Sequence, residues 1–265
     1  MRIFFIKFLA FLRKDIRIAL SYRFNLLLQL ILIIFIFSLI FFSVVSNNYA
    51  GLENSEFFKV LVGIALIDFM FSSMSVFSRE VRLAQTYGTF EALILTKTSI
   101  LTILLSSYAL TFSRSILRIL IYILISKFIF GVDIALSNIP IFLALVTYNC
   151  IPFVGIGLFA AAFIILFKVG NVISFFVAIS SIFFSGIFFS LDAMPENFVN
   201  ISNNLPLSIG LEIAEQALLN NFDFNEAFPD LLKVLYMSLF FISTGILLVY
   251  YSIKESKRNG NLNYY

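Results

Sequence analysis

The chain has 265 residues, 61% of them hydrophobic and only 12% charged, with 35 Phe, no His and a mean hydropathy of +1.02. A soluble domain is about half apolar and about a quarter charged, so this excess is more than one soluble core of the same length can hide, and the chain reads as an integral membrane protein. With no His and a single Cys, Cys150, it lacks the means for His-based acid–base chemistry or a Cys/His zinc site; its net charge of +3 says less than the placement of the charges.

Residues 1–22 are basic and amphipathic. Wound as a helix, they put Arg2, Lys7, Arg13, Lys14 and Arg17 on one arc and Phe4, Phe5, Phe8, Phe11, Leu12 and Ile16 on the other, with Asp15 on the apolar side. Charges recur too often for a spanning helix, and neither an uninterrupted apolar region nor a small-residue cleavage site marks a signal peptide. The expectation is an interfacial helix on the cytoplasmic leaflet. A basic flank that only fixes orientation is the alternative.

Six apolar segments follow: Phe24–Ser46, Phe57–Ser78, roughly Leu101–Phe130, Ile139–Phe167, Val172–Leu191 and Leu231–Ser252. Each is near the length of about 20 residues that a bilayer requires. The fourth carries Pro152, Gly155 and Gly157, so it is expected to be kinked or broken. Residues 192–230 are too many for a turn. Their apolar stretch Ile201–Leu219, interrupted by Pro206 and Gly210, is expected to form short re-entrant helices before the sixth span, an ordinary outer loop being the alternative. A charged tail with Lys254, Glu255, Lys257 and Arg258 closes the chain.

The basic residues set the orientation. With the N-terminus inside, 13 of the 18 Lys and Arg fall on inner segments; Lys59, Lys127 and Lys233 sit outside near helix ends, and Arg114 and Arg118 lie within the third segment. Glu53, Glu56, Asp133, Asp192, Glu196, Glu212, Glu215, Asp223, Glu226 and Asp230 populate the outer loops. Both termini are therefore expected in the cytoplasm, and the bias favours a bacterial inner membrane. The expected fold is an all-α membrane domain over residues 1–265: interfacial helix 1–22, six transmembrane helices, a charged connector 79–98 inside and a loop 192–230 outside.

Few residues offer chemistry. There is no G-x-x-x-x-G-K-[ST] loop and no G-x-G-x-x-G after a strand, so the chain carries no known phosphate cradle. Gly155 and Gly157 read as close-packing or kink positions. Asp68 is the only carboxylate well inside a span, and one carboxylate is no catalytic dyad; a lipid-modifying enzyme is disfavoured. Ionisable groups in a bilayer are costly and face a partner or water. Arg114 and Arg118, four apart, share a helix face. They form an intramembrane pair with Asp68 or touch an anionic headgroup or substrate, or else they sit near the inner headgroups because the third span begins late.

The connector holds the sharpest signal. Its run Gly88-Thr89-Phe90-Glu91-Ala92-Leu93-Ile94-Leu95-Thr96, preceded by Arg79-Glu80, resembles the R-E-x-x-x-G-T-L-E-x-L-L-x-T-P signature that follows the second span in type-2 ATP-binding-cassette (ABC) exporter permeases. Lys97 stands where that family commonly has Pro. The layout of helices is similar over most of the chain. The resemblance implies a permease subunit without its own ATPase site and without a cofactor of its own. A separate ABC ATPase subunit would bring ATP and Mg and dock on the connector, the coupling helix of that family. Arg79, Glu80, Arg82, Tyr87, Gly88, Thr89 and Glu91 are the expected docking residues. A second permease copy or a homologous permease would complete the transporter, and drugs, lipids, glycolipids or polysaccharides are the substrate classes implied. A secondary transporter or channel is the alternative, although paired broken helices in two related halves are not evident. Nothing points to a nucleic-acid partner.

Overall fold

Lipid cannot hydrogen-bond a backbone, so a chain in a bilayer satisfies its N–H and C=O groups within its own segments. The computed structural model shows that outcome: helices, and no strand among the described residues. It describes residues 2–21, 54–96, 98–128, 134–168, 171–187, 195–219 and 222–260, with scattered helical positions between 24 and 39. The helices are α1 (Arg2–Ser21), α2 (Asn54–Thr86), α3 (Phe90–Leu95), α4 (Ile100–Phe128), α5 (Ile139–Asn149), α6 (Ile151–Phe167), α7 (Asn171–Phe184), α8 (Glu196–Ser202), α9 (Pro206–Leu218) and α10 (Phe224–Arg258).

Lys59–Thr86, Ile100–Phe128, Ile139–Phe167 and Phe224–Arg258 are long and apolar enough to cross a membrane, and Val172–Phe184 is a shorter apolar helix. The protein is an all-α integral membrane protein. The first expected span, Phe24–Ser46, lies largely outside the described residues. The fifth, expected as Val172–Leu191, is helical only to Phe184. At 14 residues α7 rises about 21 Å, short of a hydrocarbon core of about 30 Å; residues 188–191 are outside the described set.

Several expected boundaries move. α2 does not stop at Ser78 but continues through Arg79, Glu80 and Arg82 to Thr86, so the first part of the expected connector is helix. α10 likewise begins at Phe224 and runs through Lys254, Glu255, Lys257 and Arg258, so the expected tail is helical to Arg258. Charges end the membrane phase, not the helix. The third span starts at Ile100 rather than late. The fourth breaks at Cys150, with Pro152 in the first turn of α6, where its missing N–H costs nothing. In the stretch before the sixth span, Pro206 starts α9 and Gly210 lies inside it without breaking it.

α6 is the centre of the bundle. Gly157 seats it on α2: a Cβ there would lie 2.8 Å from the Ser73 carbonyl oxygen. Gly155 seats it on α10: a Cβ would lie 2.5 Å from the Phe241 carbonyl carbon, and one on Gly245 would lie 2.9 Å from the Gly155 carbonyl oxygen. Without side chains, these backbones approach to direct contact, which is how helices gain packing in lipid. α9 enters beside α5, where Gly210 is pressed on Asn149, and its Leu207, Leu211, Ala214 and Leu218 join the core of α2. It is a half-helix that reaches the middle of the bundle.

Two contacts define one end of the molecule. Ser99 Oγ lies 3.3 Å from Tyr250 Oη, and Ser256 Oγ donates to the Ile165 carbonyl at 3.4 Å. The C-terminal end of α10 therefore lies at the same end as the connector, where α1 also packs against α4.

Candidate functional site

The connector is built by a stop and a restart. α2 ends in a left-handed turn at Gly88, φ +68°. The Thr89 N–H donates to the Ala84 carbonyl at 2.9 Å and the Gly88 N–H to the Gln85 carbonyl at 3.0 Å, the paired bonds that satisfy the last carbonyls of a helix around a glycine. The Thr89 hydroxyl also bonds the Ala84 carbonyl, at 3.2 Å, so it is turned back onto α2 and does not cap α3. α3 then starts at once, with the Leu93 N–H on the Thr89 carbonyl.

Six residues make a helix too short to stand alone. Phe90 holds it: the ring is 1% exposed, packed in the cluster that contains Val81, Ile100, Ile103 and Leu104. The other end closes on the Thr96 hydroxyl, which donates to the Leu93 carbonyl at 2.7 Å and accepts the Thr98 N–H at 3.3 Å.

Of the residues singled out from the sequence, Arg79, Arg82, Tyr87, Gly88, Thr89 and Glu91 are exposed, and Glu80 is half-buried. The structure gathers them at one end of α2 and the start of α3. Two exposed apolar residues, Leu83 and Leu95, belong to the same surface and were not anticipated. Their signal was an apolar side chain in a polar connector that no span needs. Phe90 belongs to the motif, and its role as anchor follows from its burial.

Behind this surface, α1, the end of α2, α3 and the first half of α4 enclose a cavity of about 390 Å³, with Lys14, Arg79, Glu80 and Arg114 among its lining residues.

The second polar group lies between α2 and α4. Arg118 Nε donates to Asp68 Oδ2 at 2.7 Å, and Arg118 Nη2 donates to Ser72 Oγ at 2.7 Å and Ser115 Oγ at 2.9 Å. The two charged side chains are about a quarter exposed. Of the two arginines open to it from sequence, Asp68 pairs with Arg118; Arg114, one turn nearer the connector, lines the cavity instead. Ser72 and Ser115 were missed, although Ser72 stands one turn from Asp68 and Ser115 one turn from Arg118.

At the opposite end a polar cavity of about 450 Å³ is lined by Lys59, Glu212, Glu215, Asp230 and Lys233. Lys233 Nζ meets Asp230 Oδ1 at 2.7 Å. Burial raises the Glu215 pKa above the ordinary glutamate value, with Lys59 opposing the shift and Glu212 adding to it.

A family model described as ABC-2 type transporter matches residues 6–219. None of the curated proteins matches the chain.

Proposed function

This chain belongs to the ABC-2 type transporter family, and we propose that within it the protein is the membrane subunit of an exporter driven by a separate ABC ATPase. The family makes it a permease component of an ABC transporter, and its spans make it an integral membrane protein. The finer reading is that the ATPase docks on residues 79–98, binds ATP and Mg, and rocks the spans so that substrate moves outward. A second permease copy or a homologous permease completes the path, because one set of six spans encloses little. Both termini and the connector face the cytoplasm, most naturally of a bacterial inner membrane.

The observation that carries this reading is the build of the connector. α2 leaves the apolar region without a break, turns on Gly88, and hands over to an α3 that Phe90 locks to the core. Tyr87 and Leu95, each 75% exposed, and Glu91 beside them present a surface with a rigid support. A partner that presses there presses on a membrane helix directly. The chain has no phosphate loop of its own to supply the energy.

The test is reconstitution. The purified chain in nanodiscs should release phosphate from ATP at background, and the complex formed on co-expression with its cognate ABC ATPase should co-purify and turn over on the order of once per second. Turnover by the chain alone, or an ATPase that binds equally well when the connector is altered, overturns the reading. Maleimide labelling of single-cysteine variants tests the orientation. Asn203→Cys should react from outside and Tyr87→Cys only after the membrane is opened.

A further inference from the structure

The cavity opens beside Leu83, Tyr87 and Thr89 and runs inward between α1, α2 and α4, with a composition that a bare ion does not explain. Its walls are apolar, with Phe11 of α1, Phe90 of α3 and Leu104 and Leu110 of α4. Among the described residues its ionic groups are Lys14, Arg79, Arg114 and one carboxylate, Glu80, a cationic balance; Ser107 and Thr111 add hydroxyls.

The two arginines line the cavity from facing helices. Phe77 lies against Tyr108, ring centroids 5.7 Å apart, and Phe69 against Phe112 at 5.4 Å, which fixes the register of antiparallel α2 and α4. Arg79 then stands about two residues nearer the connector than that first ring pair and Arg114 six residues farther from it, an axial gap of about 12 Å at the rise of an α-helix. Helical side chains lean toward their own N-terminus. α2 starts at the far end and α4 at the connector end, so Arg79 leans into the bilayer and Arg114 leans back toward the connector. That lean shortens the axial gap from both sides.

Depth decides the kind of ligand. The cavity climbs α4 from Ile100 to Arg114, 14 residues or about 21 Å, and one wall is the amphipathic α1. Its inner part, around Leu110 and Arg114, runs along a helix long and apolar enough to cross a membrane. A free anion would leave the apolar walls unused.

We propose that this cavity binds an anionic amphiphile, its phosphate or carboxylate head held between Arg79, Arg114 and Lys14 and its chain along Phe11, Leu104 and Leu110. The head gains charge-assisted hydrogen bonds, and the chain stays on an apolar surface. The inference deepens the export reading, and only the transport arm of its test rests on that reading.

The chain has no Trp, so Phe11→Trp installs a single reporter, and Leu110→Trp a second should the first disturb folding. The full-length variants are placed in nanodiscs of phosphatidylcholine doped with brominated phosphatidylglycerol or with brominated phosphatidylcholine. The anionic lipid should reach half-quenching at about tenfold lower mole fraction. Arg79→Gln with Arg114→Gln should remove that preference, and Arg79→Lys with Arg114→Lys should keep it. Equal quenching by the two lipids, or a preference that survives the glutamine pair, overturns the proposal. So does a reporter that lipid does not quench but added ATPase subunit shifts, since that places the ATPase in the cavity. With the ATPase and ATP present, outward movement of fluorescent phosphatidylglycerol identifies the ligand as cargo. The same binding preference without movement identifies it as a resident bilayer lipid and leaves the site in place.

Discussion

Arg118 reaches across from α4 to Asp68 on α2 with a 2.7 Å bond from Nε to Oδ2, and its Nη2 takes Ser72 and Ser115 in the same plane of contacts. The pair joins two spans and offsets the cost of charge at that depth, with a partner of opposite sign and further hydrogen bonds supplied to Arg118.

Removing one partner strands the other. Loss of half of a buried pair costs about 3–5 kcal/mol, and with both side chains about a quarter exposed the lower end applies here. Asp68→Ala should therefore lower stability by about 3 kcal/mol, and Asp68→Ala with Arg118→Ala should recover part of the loss. Thermal unfolding of the detergent-solubilised chain reads both. A double variant as unstable as the sum of the two single ones would show that the pair contributes nothing as a pair.

Gly88 carries a conformational demand that its motif alone does not reveal. From sequence, changing it is expected to disturb docking and leave stability alone. The structure gives it φ +68°, with nothing within 4 Å of the place a Cβ would occupy, so the obstacle is backbone strain rather than space. Gly88→Val should cost about 1–2 kcal/mol, and Gly88→Asn clearly less because Asn tolerates this region. Glu91→Lys, on an exposed side chain, should change stability by no more than about 0.5 kcal/mol while weakening co-purification of the ATPase. If Glu91→Lys leaves both co-purification and transport untouched, the ATPase docks elsewhere.

Gly155 tests the packing of α6 on α10. A Cβ 2.5 Å from the Phe241 carbonyl carbon meets backbone, which has no rotamer to yield. Gly155→Ala should cost about 1–3 kcal/mol and Gly155→Leu should prevent accumulation of folded protein. The measurement is the monodisperse fraction on size exclusion after solubilisation.

Glu215 gives the far end a pH dependence. Its folded-state pKa is raised, first by burial and then by Glu212, against the attraction of Lys59, with Asp230 and Lys233 on the facing wall. A raised acid favours the folded state when protonated. That advantage is complete below the unfolded glutamate pKa of about 4.3 and is lost as pH rises through the higher folded value. Wild type and Glu215→Gln should therefore unfold alike at acid pH, and the wild type should fall behind as pH increases. A constant difference across the range would count against an ionising Glu215.

What the sequence made legible was the membrane phase. Hydropathy finds the bilayer, so the apolar cores of α2, α4, the α5–α6 unit and α10 were placed within a few residues. It does not find helix ends: Arg79 to Arg82 and Lys254 to Arg258 stop an apolar run without stopping a helix, since their backbone bonds are as well made as before. Gly210 read as a breaker because a glycine lacks helix propensity, but its position is set by the surface of Asn149, a tertiary fact. The partner of Asp68 depended on the register of two antiparallel helices, which the connector length leaves free and the ring pairs Phe77–Tyr108 and Phe69–Phe112 decide. The connector was legible as a charged run with a motif; Phe90 and Leu95 were not, because burial and exposure separate them and both are simply apolar in the chain.

The contact of Gly157 with the Ser73 carbonyl gives α2 a fulcrum. The helix is unbroken from Asn54 to Thr86, so the arm from Ser73 to the connector is about 20 Å and the arm to the far end about 28 Å at the helical rise. A rigid helix displaced sideways at Thr86 would move at Asn54 in the opposite direction, enlarged about 1.5-fold by that rise-derived ratio. Asp68 sits only five residues beyond the pivot, about 8 Å, and barely swings. A rocking of α2 of the kind proposed for the transport cycle would leave the intramembrane charge pair beside the pivot.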